Sequence, residues 1–148
     1  MTKRVDACLE IMPTPKGRPK FVVRGRFATV YTPKKTRDYE DKLKAFFRNL
    51  VAKKIKQHRV SEQYALNCPI IEPCWVVLNI FLEKPKSVKR KYPTTKPDID
   101  NYIKAIFDSA NKILWNDDSQ VVSLIVRKNY SSIIKQGFIL EIWDNPEH

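Results

Sequence analysis

Apolar and polar residues alternate at the start of the chain (Val5, Ala7, Leu9, Ile11), a period of two that predicts a first strand. Residues 12–20 hold three prolines and a glycine, so this stretch predicts a loop. Phe21–Val23 and Phe27–Val30 flank Arg24-Gly25-Arg26 and read as two short strands joined by a hairpin-like turn. Thr32-Pro33 predicts a helix start, with Thr32 as the cap and Pro33 at the first helical position. Tyr39, Leu43, Phe46, Phe47, Leu50, Val51 and Ile55 then recur at steps of three and four, the stripe of an amphipathic helix of about six turns. Its acids (Asp38, Glu40, Asp41) come early and Lys53, Lys54, Lys56 and Arg59 late, as the helix dipole favours, so those cations need no ligand to explain them.

Beyond a polar segment, Trp75–Leu82 is apolar with no strict alternation, which predicts a central strand covered on both faces. Pro97 predicts the opening of a second helix with Ile99, Ile103, Ile106, Ala110 and Ile113 as its buried stripe. Asn116-Asp117-Asp118-Ser119 is turn chemistry. Val122, Leu124 and Val126 alternate in one strand, and Phe138, Leu140 and Ile142 in a last. The order β-β-β-α-β-α-β-β, without repeat or linker, predicts one small α+β domain over residues 1–148, a mixed sheet packed by two main helices.

A chain of 148 residues suffices for a buried core. No apolar run approaches the ~20 residues needed to cross a bilayer, and no signal-peptide pattern follows the N-terminal charges. A soluble, cytoplasmic protein is expected, with no membrane partner. Cys8, Cys68 and Cys74 form no C-x-x-C pair, and the histidines are His58 and His148, so a zinc site is not expected and the thiols read as reduced. Lys and Arg number 28 against 16 Asp and Glu, a net charge of +12 that points to a polyanionic partner. Residues 84–96 carry six basic residues (Lys84, Lys86, Lys89, Arg90, Lys91, Lys96), two prolines and no acid. Such a run is commonly a solvated loop; beside an acidic cluster it becomes a candidate for gripping phosphate. Residues 16–26 add five basic residues without an acid, among them Lys16, Arg18 and Lys20.

Five of the sixteen acids fall within residues 98–118: Asp98, Asp100, Asp108, Asp117 and Asp118. Each has a structural account. Asp98 and Asp100 suit a helix N-terminus, Asp100, Lys104 and Asp108 an i,i+4 ladder, and Asp117 and Asp118 a turn. Taken together in so basic a chain, they suggest a site for a hard divalent cation such as Mg²⁺, with Lys104 one turn from Asp100. Asp117 and Asp118 sit at a turn entering a strand, from which a carboxylate can be projected back at a neighbouring helix start. A cation held there would serve phosphodiester cleavage on DNA held by the basic surface.

Asp98-Ile99-Asp100-Asn101-Tyr102-Ile103-Lys104, Phe107-Asp108 and Trp115-Asn116-Asp117-Asp118-Ser119-Gln120-Val121-Val122 resemble the RusA-type Holliday junction resolvases, which are often borne on prophages. The segments Pro15–Phe21 and Tyr31-Thr32-Pro33 resemble phage-borne members more weakly. The resemblance implies a homodimer that binds four-way DNA junctions and nicks two strands symmetrically. It implies Asp98, Asp100 and Asp118 as ligands for Mg²⁺ (or Mn²⁺) and Lys104 as the catalytic lysine. Two other readings are a nuclease for flaps or forks and a junction-binding protein that does not cut. The latter gains nothing from carboxylates beside phosphates.

Overall fold

The computed structural model describes residues 1–53, 63–131 and 135–144. Its elements are β1 (Lys3–Leu9), β2 (Lys20–Arg24), β3 (Phe27–Tyr31), α1 (Lys34–Ala52), β4 (Tyr64–Ala65), β5 (Cys74–Leu82), α2 (Ile99–Ala110), a 3₁₀ turn (Asp118–Gln120), β6 (Val121–Tyr130) and β7 (Gly137–Asp144). Five strands form a mixed sheet in the order β4-β1-β7-β5-β6, while β2 and β3 pair with each other as a separate two-stranded ribbon. Within the large sheet β5 and β6 run parallel; the other neighbours are antiparallel. The α+β class expected from the sequence is the one found.

Alternation decides which face is covered. Val5 and Ala7 of β1, Val76, Leu78 and Ile80 of β5, and Phe138, Leu140 and Ile142 of β7 are buried on one face. They pack there with Tyr39, Leu43 and Phe47 of α1 and Ala105 and Ile106 of α2 in a single cluster. The expectation of a strand covered on both faces fails at β5. Buried and half-buried residues alternate from Cys74 to Ile80, so one face lies under the helices and the other carries Trp75, Val77 and Asn79. Apolar residues on the thinly covered face hid that period in the sequence.

The helix starts also depart from expectation. Pro33, not Thr32, occupies the N-cap of α1, with no side-chain cap bond, and the backbone N–H of Arg37 donates to its carbonyl at 3.1 Å. α2 begins at Ile99, two residues after Pro97. Its buried face is Tyr102, Ala105, Ile106, Phe107, Ser109 and Ala110, while Ile99, Ile103 and Ile113 are half-buried. Tyr39, Leu43, Phe47 and Leu50 of α1 are buried as its stripe requires, and Ile11 falls outside β1. Ile55, Lys54, Lys56, His58, Arg59 and His148 lie outside the described residues. The brief strand β4, beside β1, was not foreseen, because two residues carry no periodicity.

Gly137 opens β7 with φ +149°, and a Cβ there would lie 2.0 Å from the carbonyl oxygen of Leu9. Strand β7 can therefore approach β1 closely at this point because it lacks a side chain. Gly137→Ala should destabilise the fold by about 2 kcal/mol or more. A melting temperature lowered by about 4–8 °C on a calorimeter would register that loss.

Candidate active site

α2 presents its polar side away from the sheet, and that side carries Asp100, Lys104 and Asp108. Asp98 sits at the N-cap in extended conformation (φ −69°, ψ 152°), yet its carboxylate makes no capping bond. It accepts instead from the exposed Lys96 ammonium at 2.9 Å. Asp100 has neither a hydrogen bond nor an ion pair to another described residue. Both carboxylates stand at the N-terminal end of α2. Lys104 Nζ donates to Asp108 Oδ1 at 3.0 Å, so the lower rung of the expected ladder forms and the upper one, to Asp100, does not.

The other oxygen of Asp108 lies 3.2 Å from Lys16 Nζ, and Lys16 also donates to Glu40 of α1. Lys16 was expected among the phosphate-gripping cations, and the structure places it otherwise. Its ammonium is largely enclosed and neutralised by two carboxylates. Burial pulls the Lys16 pKa down, but hydrogen bonds and charge from Glu40 and Asp108 more than reverse this, leaving it raised. The backbone N–H of Lys16 donates to Asn101 O at 2.9 Å, and Gly17 N–H to Thr36 Oγ1 at 3.0 Å. The loop after β1 is thereby tied to both helices.

The segment after α2 divides its work residue by residue. Trp115 is fully buried, its Nε1–H donates to Asn111 Oδ1 at 2.7 Å, and its ring meets Phe107 edge-on at 4.9 Å. Asp117 caps the 3₁₀ turn by accepting from Ser119 N–H at 3.1 Å, and Gln120 Oε1 accepts from Asp117 N–H at 2.8 Å. This reciprocal pair is a capping box. Gln120 Nε2 donates onward to the carbonyls of Ile70 and Glu72, at 2.9 and 3.1 Å, pinning the turn to the entrance of β5. Asp118, between these fixed residues, is half-buried and has no partner among the described residues. Of the adjacent pair, Asp117 is structural and Asp118 is left available.

The site residues do not all converge. Because β5 and β6 are parallel, α2 returns antiparallel to both. At its start, Lys128 Nζ of β6 donates to the carbonyls of Thr95 and Pro97, at 3.0 and 3.1 Å. Its end leads to Ile70, the turn and the first residue of β6. Lys128 is seven residues further along β6 than Val121, about 23 Å at strand rise. The structure thus joins Asp98, Asp100 and Lys104 along one end of α2, and sets Asp118 at the opposite end rather than projecting it at the helix start. Among the described residues no three His, Cys, Asp or Glu side chains gather closely enough to hold an ion. The donor chemistry nonetheless suits a hard cation: carboxylate oxygens, two of the three without partners among the described residues. Lys128 stands in no motif, and Gln120 stands in one that does not show its role, because a strand lysine and a turn glutamine carry no pattern that reveals their carbonyl acceptors.

Arg18, Lys20, Lys84, Lys86, Lys89, Arg90, Lys91 and Lys96 are exposed, as phosphate contacts require. Residues 83–98 form no regular element, and buried Pro93 fastens the segment to the body. Lys84 lies over the Tyr130 ring at 5.4 Å and Lys91 over Tyr92 at 5.3 Å. The cysteines are free, and burial pushes the Cys68 and Cys74 thiols up to about 11, which leaves both protonated and inert at neutral pH.

The family model described as Endodeoxyribonuclease RusA matches residues 10–136 of this chain. The chain is also 34% identical over 131 residues to the uncharacterized protein YqaN of Bacillus subtilis (strain 168), an overlap covering 80% of this chain and 82% of YqaN.

Hydrogen bonds from Ser119, through its hydroxyl and then its backbone N–H, hold the Asp117 carboxyl below its ordinary range. A depressed folded-state value means that the stabilisation is complete above the usual carboxylate range and is lost as pH falls through the depressed value. Asp117→Ala should therefore melt below the wild type at pH 7, and the gap should close as pH drops below about 4. Melting curves across pH 2–7 check this, with Asp118→Asn as a control that loses no cap.

Proposed function

Because the chain belongs to the RusA endodeoxyribonuclease family, we propose that it is a divalent-metal-dependent nuclease that binds four-way DNA junctions and resolves them by paired symmetric nicks. One observation carries the reading: in a chain of net charge +12, Asp100 and Asp118 lack neutralising partners among the described residues, and Asp98 has one exposed lysine. Unpaired acids facing a polyanion would weaken binding unless they serve chemistry. Asp98, Asp100 and Asp118 would hold Mg²⁺, or Mn²⁺ in its place. Such an ion, when bound, supplies charge stabilisation and a lowered pKa for water at the scissile phosphate.

The chain's own groups do the rest. Lys104 stands one turn from Asp100 and donates to the phosphate oxygens as negative charge accumulates on them, with Asp108 holding its ammonium ready. Lys84, Lys86, Lys89, Arg90, Lys91 and Lys96, with Arg18 and Lys20, grip the backbone on either side without reading its sequence.

The separation of Asp118 from Asp98 and Asp100 along α2 favours a two-fold homodimer in which each protomer's Asp118 completes the carboxylate pair of the other. Two such sites, related by the dyad, match the paired nicks that a four-way junction requires. Light scattering should then report about twice the 17.4 kDa chain mass.

Asp98→Asn, Asp100→Asn and Asp118→Asn should each abolish single-turnover cleavage of a four-way junction while leaving binding intact or tighter. Lys104→Ala should slow cleavage by about 10²-fold with little change in binding. An equimolar mixture of Asp100→Asn and Asp118→Asn chains should recover nicking of one strand, because half of the shared sites in a mixed dimer keep both native residues. A mixture as inert as its components would return each site to a single chain. Robust cleavage by two of the three single variants would sink the carboxylate assignment, and a preference for flaps over junctions would redirect the substrate.

A further inference from the structure

The β2–β3 ribbon stands apart from the main sheet and leaves large apolar side chains in water: Phe21 is 72% exposed, Val23 69% and Phe27 78%. An isolated two-stranded hairpin is at best marginally stable, so such a ribbon calls for a partner. Its pairing register separates two unlike faces. Phe21 lies across from Val30 and Val23 from Ala28, forming an apolar face. On the other face Lys20 lies across from Tyr31 and Arg24 from Phe27, so a cation is set beside an aromatic ring at each end of the strand pair. Arg26 adds a third cation at the tip, in a two-residue turn where Gly25 takes φ +60° as a type II′ hairpin requires.

Charge identifies the partner. From residue 11 to residue 37 there are eight basic residues and no acid. A second copy of a chain at +12 would be repelled by such an arm, whereas nucleic acid would be drawn to it. Position agrees with charge. The loop entering β2 is fixed to α2 through Lys16 N–H and Asn101 O, and through Lys16 and Asp108, within a turn of Asp100 and Lys104. Five residues per strand give the ribbon a reach of about 17 Å beyond that anchor. The major groove of duplex DNA admits a two-stranded ribbon, where cations meet phosphates and apolar side chains meet thymine methyls.

We infer that the β2–β3 ribbon is a DNA-clasping arm that lies in a groove of the duplex next to the cleavage site, with Lys20, Arg24 and Arg26 on the phosphates. The inference rests on the nuclease reading above and adds the element that holds the duplex arm. The test is Lys20→Ala/Arg24→Ala/Arg26→Ala in the full chain, with binding measured against salt on both a four-way junction and a linear duplex. The triple variant should keep the wild-type melting temperature, since all three side chains lie on the exposed ribbon. Its log–log salt slope should fall by about two to three units on both substrates, since phosphate contacts are indifferent to branching. An unchanged slope overturns the arm. So does a variant with its slope intact that loses dimer mass in light scattering, which would make the ribbon an interface between copies. A wild-type chain that binds duplex but cuts no branched substrate sinks the nuclease reading alone, because the duplex slope still decides the arm.

Discussion

The parallel pairing of β5 with β6 fixes most of what matters in this molecule. Strands that run the same way cannot be joined by a tight turn; the chain must travel back across the sheet first. Here that return is α2, which therefore starts at one end of β6 and stops at the other. Residues near each other in sequence, Asp100 and Asp118, are driven apart by this rule, while Lys128 and Thr95 are brought together. The apolar face of α2 serves the same rule. Tyr102, Ala105 and Ile106 lie over the sheet, so Asp100 and Lys104 look outward.

Electrostatics then sorts the acids. Glu40 and Asp108 share Lys16, which knits the loop after β1 to both helices, and Asp117 is held by its own turn. Of the remaining carboxylates of the cluster, Asp98 and Asp100 are exposed at the start of α2, Asp98 paired with exposed Lys96, and Asp118 is half-buried beyond its end. Surrounding basic residues cannot fold onto all of them, because several are anchored elsewhere: Lys104 by Asp108, and Lys128 by two carbonyls. A strongly basic protein thereby keeps available negative charge at defined places.

Much of this was legible in the sequence where one periodicity governs. Val5 and Ala7 marked β1, Tyr39 to Leu50 marked α1, and Phe138 to Ile142 marked β7, because in each case burial on one face writes the pattern directly. Where apolar residues also serve a half-covered face, as at Trp75 and Val77, the period was masked. Proline misled at both helix starts, since its fixed φ fits an extended N-cap or the residue before it as well as the first turn. The acidic residues were found by their density, but their separation was not. Local spacing says which face of a helix a residue occupies, whereas the distance from Asp100 to Asp118 is set by strand direction. Lys16 was misread for a related reason: its partners, Glu40 and Asp108, lie 24 and 92 positions away.

Strand β6 acts as a ruler. It begins where the Asp118 turn ends, and through Lys128 it grips the residues leading into Asp98. Its length therefore sets the spacing between the two ends of the acidic surface. A substitution at exposed Val122 or Ile125 leaves that spacing intact. A single-residue insertion or deletion between them does not: it shifts the far end by about 3.3 Å and turns Lys128 to the opposite face of the sheet. Among variants of this chain, this strand should accept altered composition far more readily than altered length.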